Sequence, residues 1–312
     1  MNVTHSRKEL KERLTAMLRQ AAPENLAESI TELPDSFKRT MARAQKREHL
    51  VPFGAGDDQF KFLTAATGGI RKGGITAICG PSGFGKTTLL ATFWMKFHSM
   101  GLPIFTAPIE NGQEDFMEIV ISALTGKARG SMNAGDWEAC LRSHALFFAN
   151  RRHVFSNHES RVDHLDLLTE IWYAHLTRGT CIAIVDTWQF MLALKNSRDA
   201  FFESERAFHE MAVFTKYVPV HIFVSMHPNK DGLERVEDVG AIKGSTSLVQ
   251  ESHNILLFNP LGPKEDAPLM VEHDFCREVE IAKARYNGRA KGTKILFYVD
   301  ASSELYKEYK VL

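Results

Sequence analysis

Nine residues, GPSGFGKTT from Gly80 to Thr88, carry three glycines, a lysine and neighbouring hydroxyls in the pattern G-x-x-x-x-G-K-[ST]. The chemistry that suits this pattern is phosphate binding. Gly80, Gly83 and Gly85 let the backbone curl until several N–H groups face one point and form an anion nest. A helix beginning near Lys86 adds the positive end of its dipole. Lys86 brings a full charge to β- and γ-phosphates, and Thr87 offers a hydroxyl to Mg²⁺. Pro81, Ser82, Phe84 and Thr88 complete the expected nucleotide contact. By composition the bare pattern arises in on the order of one chain in a hundred of this length, so its context decides. ITAIC, a buried-strand pattern, precedes the loop, and TTLLATFWMKF, a helix pattern, follows it. The expected ligands are ATP and Mg²⁺.

Mg²⁺ on phosphates needs a carboxylate at a strand end. CIAIVD supplies one in Asp186. Hydrolysis needs a group that orients or deprotonates water. Glu110, closing the next apolar run in IFTAPIEN, is placed for that, whereas Glu114 and Asp115 read as ordinary first-turn acids. His227 ends HIFVSMH, where a strand tip reaches a nucleotide; spacing alone leaves structural and sensing roles equally open.

These residues need a sheet to bring them together. Short apolar runs at 75–79, 104–108, 153–156, 181–185, 221–226 and 254–258 alternate with helix patterns near 86–99, 114–125, 160–177 and 203–216. Such alternation implies an α/β fold with a mostly parallel sheet flanked by helices. VEIAKAR, KILFYV and ELYKEY read instead as antiparallel strands at a C-terminal sheet edge. Residues 1 to about 66 are polar and helical, giving a division into a helical segment with linker, 1–60, and a catalytic domain, 61–312. Leu10, Leu14, Met17 and Leu18 form a narrow apolar stripe that must dock, either on its own domain or on a neighbouring subunit. A second short helix starts at Asp35 or Ser36 and carries Phe37 and Met41, and VPFGAGDDQ reads as a linker.

Composition limits the partners. The 312 residues carry 38 Lys+Arg and 38 Asp+Glu, so any nucleic-acid site is local rather than global. The four cysteines form no CxxC pair, and Cys79 and Cys181 lie in apolar runs, which suits free thiols in a reducing cytoplasm. No run is long enough to span a bilayer, and the N-terminus lacks the apolar segment of a signal peptide. His144, His153, His158 and His164 with Asp163 and Asp166 fit no standard metal spacing.

Taken in order, GPSGFGKTT, PIEN, IVDTWQFM, SMHPNKD, AIKGSTSLVQESHNILLF and AKARYNGRAKG resemble the RecA-like motor domain of ring-shaped hexameric replicative DNA helicases. That group includes the DnaB type, phage primase-helicases and Twinkle, and the resemblance is strongest to the Twinkle and phage branch over roughly residues 60–300. It implies a RecA-like P-loop NTPase core and an ATP-dependent helicase moving on single-stranded DNA, and it favours docking of the 10–18 stripe on a neighbouring subunit, as a short helix ahead of the family's motor does. Lys86 and Thr87 match the phosphate and magnesium ligands, Glu110 the catalytic base, and Asp186 the magnesium-site acid. His227 matches the γ-phosphate sensor and Gln250 the glutamine that contacts nucleotide. Lys283 and Arg285 match the Lys-x-Arg pair that reaches a neighbour's site, so the resemblance implies a homo-oligomer, a hexameric ring. Residues 228–247 fall where the family has a DNA-binding loop, with Lys243 first and Lys230 and Arg235 next as phosphate contacts; acids in the same loop also allow a plain polar loop. The zinc and primase modules of primase-helicases have no counterpart in this sequence, so a separate primase or loader is an expected partner. A RecA-type recombinase filament and an ATP-switched loader or adaptor are the alternatives.

Overall fold

The computed structural model describes residues 6–19, 50–51, 53, 60–156, 162–188, 197–228, 234–242, 245–262, 267–268 and 271–312. The first described elements are α1 (Arg7–Arg19), β1 (Leu50–Val51), α2 (Lys61–Thr67) and β2 (Ile70–Arg71). The strand before the phosphate loop is β3 (Ile75–Cys79), followed by α3 (Lys86–Ser99), β4 (Ile104–Pro108) and α4 (Gly112–Thr125). Then come α5 (Ala134–Ser143), α6 (Ala145–Phe148), β5 (Val154–Phe155), α7 (His164–Arg178), β6 (Ile182–Asp186), α8 (Ser197–Tyr217) and β7 (His221–Met226). The last part comprises α9 (Ser245–Glu251), β8 (Asn254–Pro260), β9 (Cys276–Ala284), β10 (Lys294–Val299) and β11 (Tyr306–Val311).

Nine strands form one sheet in the order β11-β10-β9-β8-β3-β7-β6-β4-β5. From β8 to β5 every pairing is parallel, and β8, β9, β10 and β11 pair antiparallel. Both the α/β expectation and the antiparallel C-terminal edge are therefore met. β3, β4, β6 and β7 are buried at every position. Strands covered on both faces read as unbroken apolar runs, which is why these four were legible. Alternate residues feed two cores. Ala77, Val185 and Val224 pack on one face with Leu14 and Phe208. Ile78, Ile184 and Phe223 pack on the other with Leu90 and Phe93.

The N-terminal stripe is covered by its own chain. Leu10 and Leu14 of α1 are buried, and the helix lies on α7 and α8. Lys11 Nζ lies 2.8 Å from Asp166 Oδ1 and Arg7 reaches Glu170 at 3.3 Å. Of the two docking options, a single chain already satisfies the first. The stretch VPFGAGDDQ is more than a linker: Val51 pairs with Ile70, and Phe53 is wholly buried, 5.3 Å from the Phe93 ring. A phenyl group of this size contributes too much apolar burial to stay in solvent. The helix expected from Asp35 or Ser36, with Phe37 and Met41, lies outside the described residues.

Candidate nucleotide-binding site

In a parallel sheet the carboxyl ends of the strands share one edge, and ligands bind in the crevice beyond it. Here that edge carries the phosphate loop after β3, Glu110 after β4, Asp186 at the end of β6 and His227 after β7. The loop, Glu110 and His227 line a cleft of 540 Å³ together with Asn111, within the usual range for a small-molecule site; Asp186 lies behind it, reached through Thr87. The loop passes so close to β8 that a Cβ on Gly80 would sit 2.2 Å from the Phe258 carbonyl oxygen. At Gly85 φ is +92°, and it caps α3 with no side chain on the first N–H groups, which leaves those donors for a ligand.

Lys86 is 5% exposed, and its ammonium donates to the carbonyls of Gly80 and Pro81, each at 2.9 Å. Burial lowers its pKa, opposed by the nearby Asp186 and Glu110 carboxylates. The Thr87 hydroxyl donates to Asp186 Oδ2 at 2.6 Å. Asp186 is itself buried, with the Ser225 hydroxyl donating to its Oδ1 and the Thr187 hydroxyl 3.1 Å from the same oxygen. The Glu110 backbone N–H donates to the Asp186 carbonyl at 3.0 Å, which ties the ends of β4 and β6 together.

Glu110 and His227 form a pair. His227 Nε2 lies 3.1 and 3.2 Å from the two Glu110 oxygens, and its Nδ1 lies 3.4 Å from the Lys86 ammonium. A lysine can only donate, so Nδ1 accepts and Nε2 carries the proton to Glu110. That bond, with the Thr187 hydroxyl and the charges around it, holds the Glu110 pKa below the usual carboxylate range despite partial burial. The carboxylate is ionised at neutral pH, as a base must be. Thr187, Ser225 and Asn111 were not anticipated. Asn111, whose side-chain amide lies 3.4 Å from the Thr87 hydroxyl, was visible in PIEN; the other two became legible only once strand order was known.

Gln250, Lys283 and Arg285 gather elsewhere. The Lys283 ammonium donates to the carbonyls of Val249 and Gln250, and Arg285 Nη2 donates to the Gln250 carbonyl at 2.6 Å. The register settles which end this is. Thr76 pairs with Asn254 and Asn254 with Ala284, so these residues sit at the start of β3, across the sheet from the loop that follows Cys79. Gln250, expected beside a nucleotide, is thus grouped with Arg285 and away from the chain's own phosphate loop. Burial, with the adjacent Arg285 charge, lowers the Lys283 pKa to about 8.

A family model described as an AAA domain matches residues 70–231. The chain belongs to the AAA-domain family. The matched span holds Lys86, Thr87, Glu110, Asp186 and His227. A solved helicase ATPase domain is 13% identical with a TM-score of 0.69, covering 90% of this chain and 100% of that one. A second structure, a DnaB-like replicative helicase described with its interactions with primase, is also 13% identical at TM-score 0.69, covering 97% of this chain and 76% of that one. At such identity the likeness establishes the fold, which is the RecA-like fold of DnaB-type helicase ATPase domains. Family and site together make this chain a P-loop ATPase.

Just beyond the matched span, Arg235 is engaged inside its own chain. Its guanidinium donates to the Pro260 carbonyl at 2.9 Å and to Glu278, whose side chain is 3% exposed. The physical reason is that a buried carboxylate must be paired, and Arg235 and Lys294, at 3.0 Å, are the pair. Arg235→Ala is expected to lower the melting temperature and leave DNA affinity unchanged. Orphaning a buried ion costs about 3–5 kcal/mol, and the remaining Lys294 keeps the loss below that. Thermal denaturation and a DNA titration check both halves. Lys230 and Lys243 lie outside the described residues. Among the described residues no cluster of three His, Cys, Asp or Glu could hold a metal, and no helix is long and apolar enough to cross a membrane.

Proposed function

We propose that this chain is an ATP-driven DNA helicase motor that works as a homo-oligomeric, hexameric ring on single-stranded DNA, with ATP hydrolysed between subunits. The observation that carries the reading is the separation of two groups of residues. Lys86, Thr87, Glu110 and His227 line one cleft, with Asp186 bonded to Thr87 behind it, while Lys283 and Arg285 lie at the opposite end of the sheet. For Arg285 to act on the transferring phosphoryl group of this cleft, it has to come from another copy. The two similar structures, a helicase ATPase domain and a DnaB-like replicative helicase with primase, support the same class of motor and a separate primase or loader as partner.

The residues divide the work as follows. The loop N–H groups and Lys86 bind the β- and γ-phosphates. Thr87 and Asp186 fit Mg²⁺, being hard oxygen donors that meet at 2.6 Å beside the phosphate loop; the ion, when bound, would neutralise phosphate charge. Glu110 accepts a proton from the attacking water on a carboxylate oxygen. His227, bonded to Glu110 and within 3.4 Å of Lys86, links the phosphate site to the chain that follows β7. Lys283 and Arg285 of a neighbouring copy stabilise charge on the transferring group. Lys243 and Lys230 are the proposed strand contacts in a cytoplasmic protein that tracks backbone charge rather than base sequence.

The deciding experiment is ATP hydrolysis at fixed low salt with and without single-stranded DNA. Strong stimulation is expected. A slow rate indifferent to DNA would replace the motor with a nucleotide switch, and filaments on DNA in place of closed rings would favour the recombinase. A pH profile adds a second check. Lys283 is charged below its pKa and neutral above it, so turnover is expected to decline as pH rises through about 8. Lys283→Arg keeps its charge and should shift that decline to higher pH; coincident profiles would remove Lys283 from the reaction.

A further inference from the structure

The phosphate loop is held from behind by the antiparallel edge of the sheet. Ser82, Gly83, Gly85 and Lys86 line the cleft, but Phe84 between them is gripped on its other side. Arg277 of β9 donates through Nε to the Phe84 carbonyl at 2.9 Å, and its guanidinium carbon lies 5.4 Å from the centre of the Phe84 ring. The Tyr306 hydroxyl of β11 donates to the same carbonyl at 3.3 Å. Arg277 is itself fixed, because Nη1 donates to the carbonyls of Asp274 and Cys276, each at 2.7 Å. Tyr306 is 1% exposed, and a Cβ on Gly85 would stand 2.5 Å from its oxygen. Burial pushes the phenol up to about 12, so it stays a donor at any working pH.

A peptide unit is planar, and in the trans form its C=O and N–H point in opposite directions. Two donors that hold the Phe84 carbonyl toward β9 and β11 therefore turn the Gly85 N–H toward the cleft that Gly85 lines. We propose that Arg277 and Tyr306 are positioning residues of the phosphate site, which lock the Phe84–Gly85 peptide so that its N–H is aimed at the β-phosphate of the nucleotide. This rests on the reading that GPSGFGKTT binds nucleotide phosphates. It gives the C-terminal antiparallel strands a task in the site as well as in the core.

The test is calorimetric titration of the whole chain with ADP and with AMP, which lacks the β-phosphate. The variants are Lys86→Ala, Arg277→Ala, Arg277→Lys, Tyr306→Phe and the Arg277→Ala/Tyr306→Phe pair, each with a thermal melt. Wild type is expected to bind ADP and Lys86→Ala to lose it; if wild type does not bind, the reading of the loop itself falls. Arg277→Ala is expected to weaken ADP about ten- to a hundredfold, the range for losing a hydrogen bond from a charged group, with AMP unmoved. Tyr306→Phe, which removes one oxygen and should fold, is expected to give a smaller ADP-selective loss. The double variant should lose less than the product, because both side chains act on one carbonyl. If Arg277→Ala does not fold, Arg277→Lys carries the test and must show the same selectivity for ADP. Unchanged ADP affinity in folded variants, or equal losses for ADP and AMP, would overturn the proposal.

Discussion

Lys86→Ala is expected to abolish ATP turnover, by about a thousandfold or more, while leaving the melting temperature unchanged or slightly higher. The two halves have one cause. The ammonium is 5% exposed, and burial lowers its pKa, so it is a charge held in a place that disfavours charge. Its direct bonds are to the Gly80 and Pro81 carbonyls and, at 3.4 Å, to His227 Nδ1, acceptors that a ligand-free loop can satisfy with water. Removing it relieves its desolvation in the free protein, which offsets the attraction to Asp186 and Glu110 that is lost with it. With nucleotide present the balance reverses. Glu110, Asp115 and Glu118 line the cleft, and its other cation, Arg129, is paired with Glu304 at 3.4 Å, so polyphosphate needs the Lys86 charge opposite its terminal groups. Preorganised charge at a site of charge development supplies roughly two to three powers of ten per group, and here the same lysine also supports binding. Lys86→Arg should not rescue, because a planar fork cannot occupy the position of a compact ammonium bonded to two successive carbonyls. Steady-state hydrolysis and a thermal melt on the same preparation test the claim. Turnover within tenfold of wild type, or a melt several degrees lower, would show that Lys86 is structural.

How much of this was legible before the structure depends on what each residue answers to. The phosphate loop, its strand and its helix were readable because they are contiguous, and the buried parallel strands were readable as apolar runs. The pairing of Glu110 with His227 was not, since β4 and β7 meet only through β6 in the sheet order. Ser225 looked like any residue of HIFVSM until pairing with β3 and β6 turned it toward Asp186. The ion pair of Arg235 was hidden for a related reason: its partner Glu278 is 43 positions away, and a charge in isolation does not say whether it is already neutralised. The short helices α2, α5 and α6 have too few turns for a period to show. α5 did carry a signal, since Asn133 and Asp136 form a capping box.

Arg285→Ala is expected to lose DNA-stimulated hydrolysis by roughly three to five powers of ten, the measured range for an arginine supplied in trans, while ADP still binds. The argument is topological. Arg285 follows Ala284, which pairs with Asn254 at the start of β8, and the phosphate loop leaves the other end of the neighbouring β3. No rotamer of one side chain crosses that sheet. If Arg285 is needed, the site it completes belongs to another copy. A mixing experiment separates this from a local folding effect. Lys86→Ala chains have a defective cleft and an intact Arg285; Arg285→Ala chains have the reverse. Each alone should be inactive. Mixed in equal amounts, roughly a quarter of head-to-tail contacts by random pairing join the good cleft of one to the good arginine of the other. Activity well above either parent is then expected, and it should appear only under conditions where the chains assemble. A dead mixture that still forms rings would mean that Arg285 supports its own chain, through the Gln250 carbonyl it holds at 2.6 Å, and that the site is complete within one subunit.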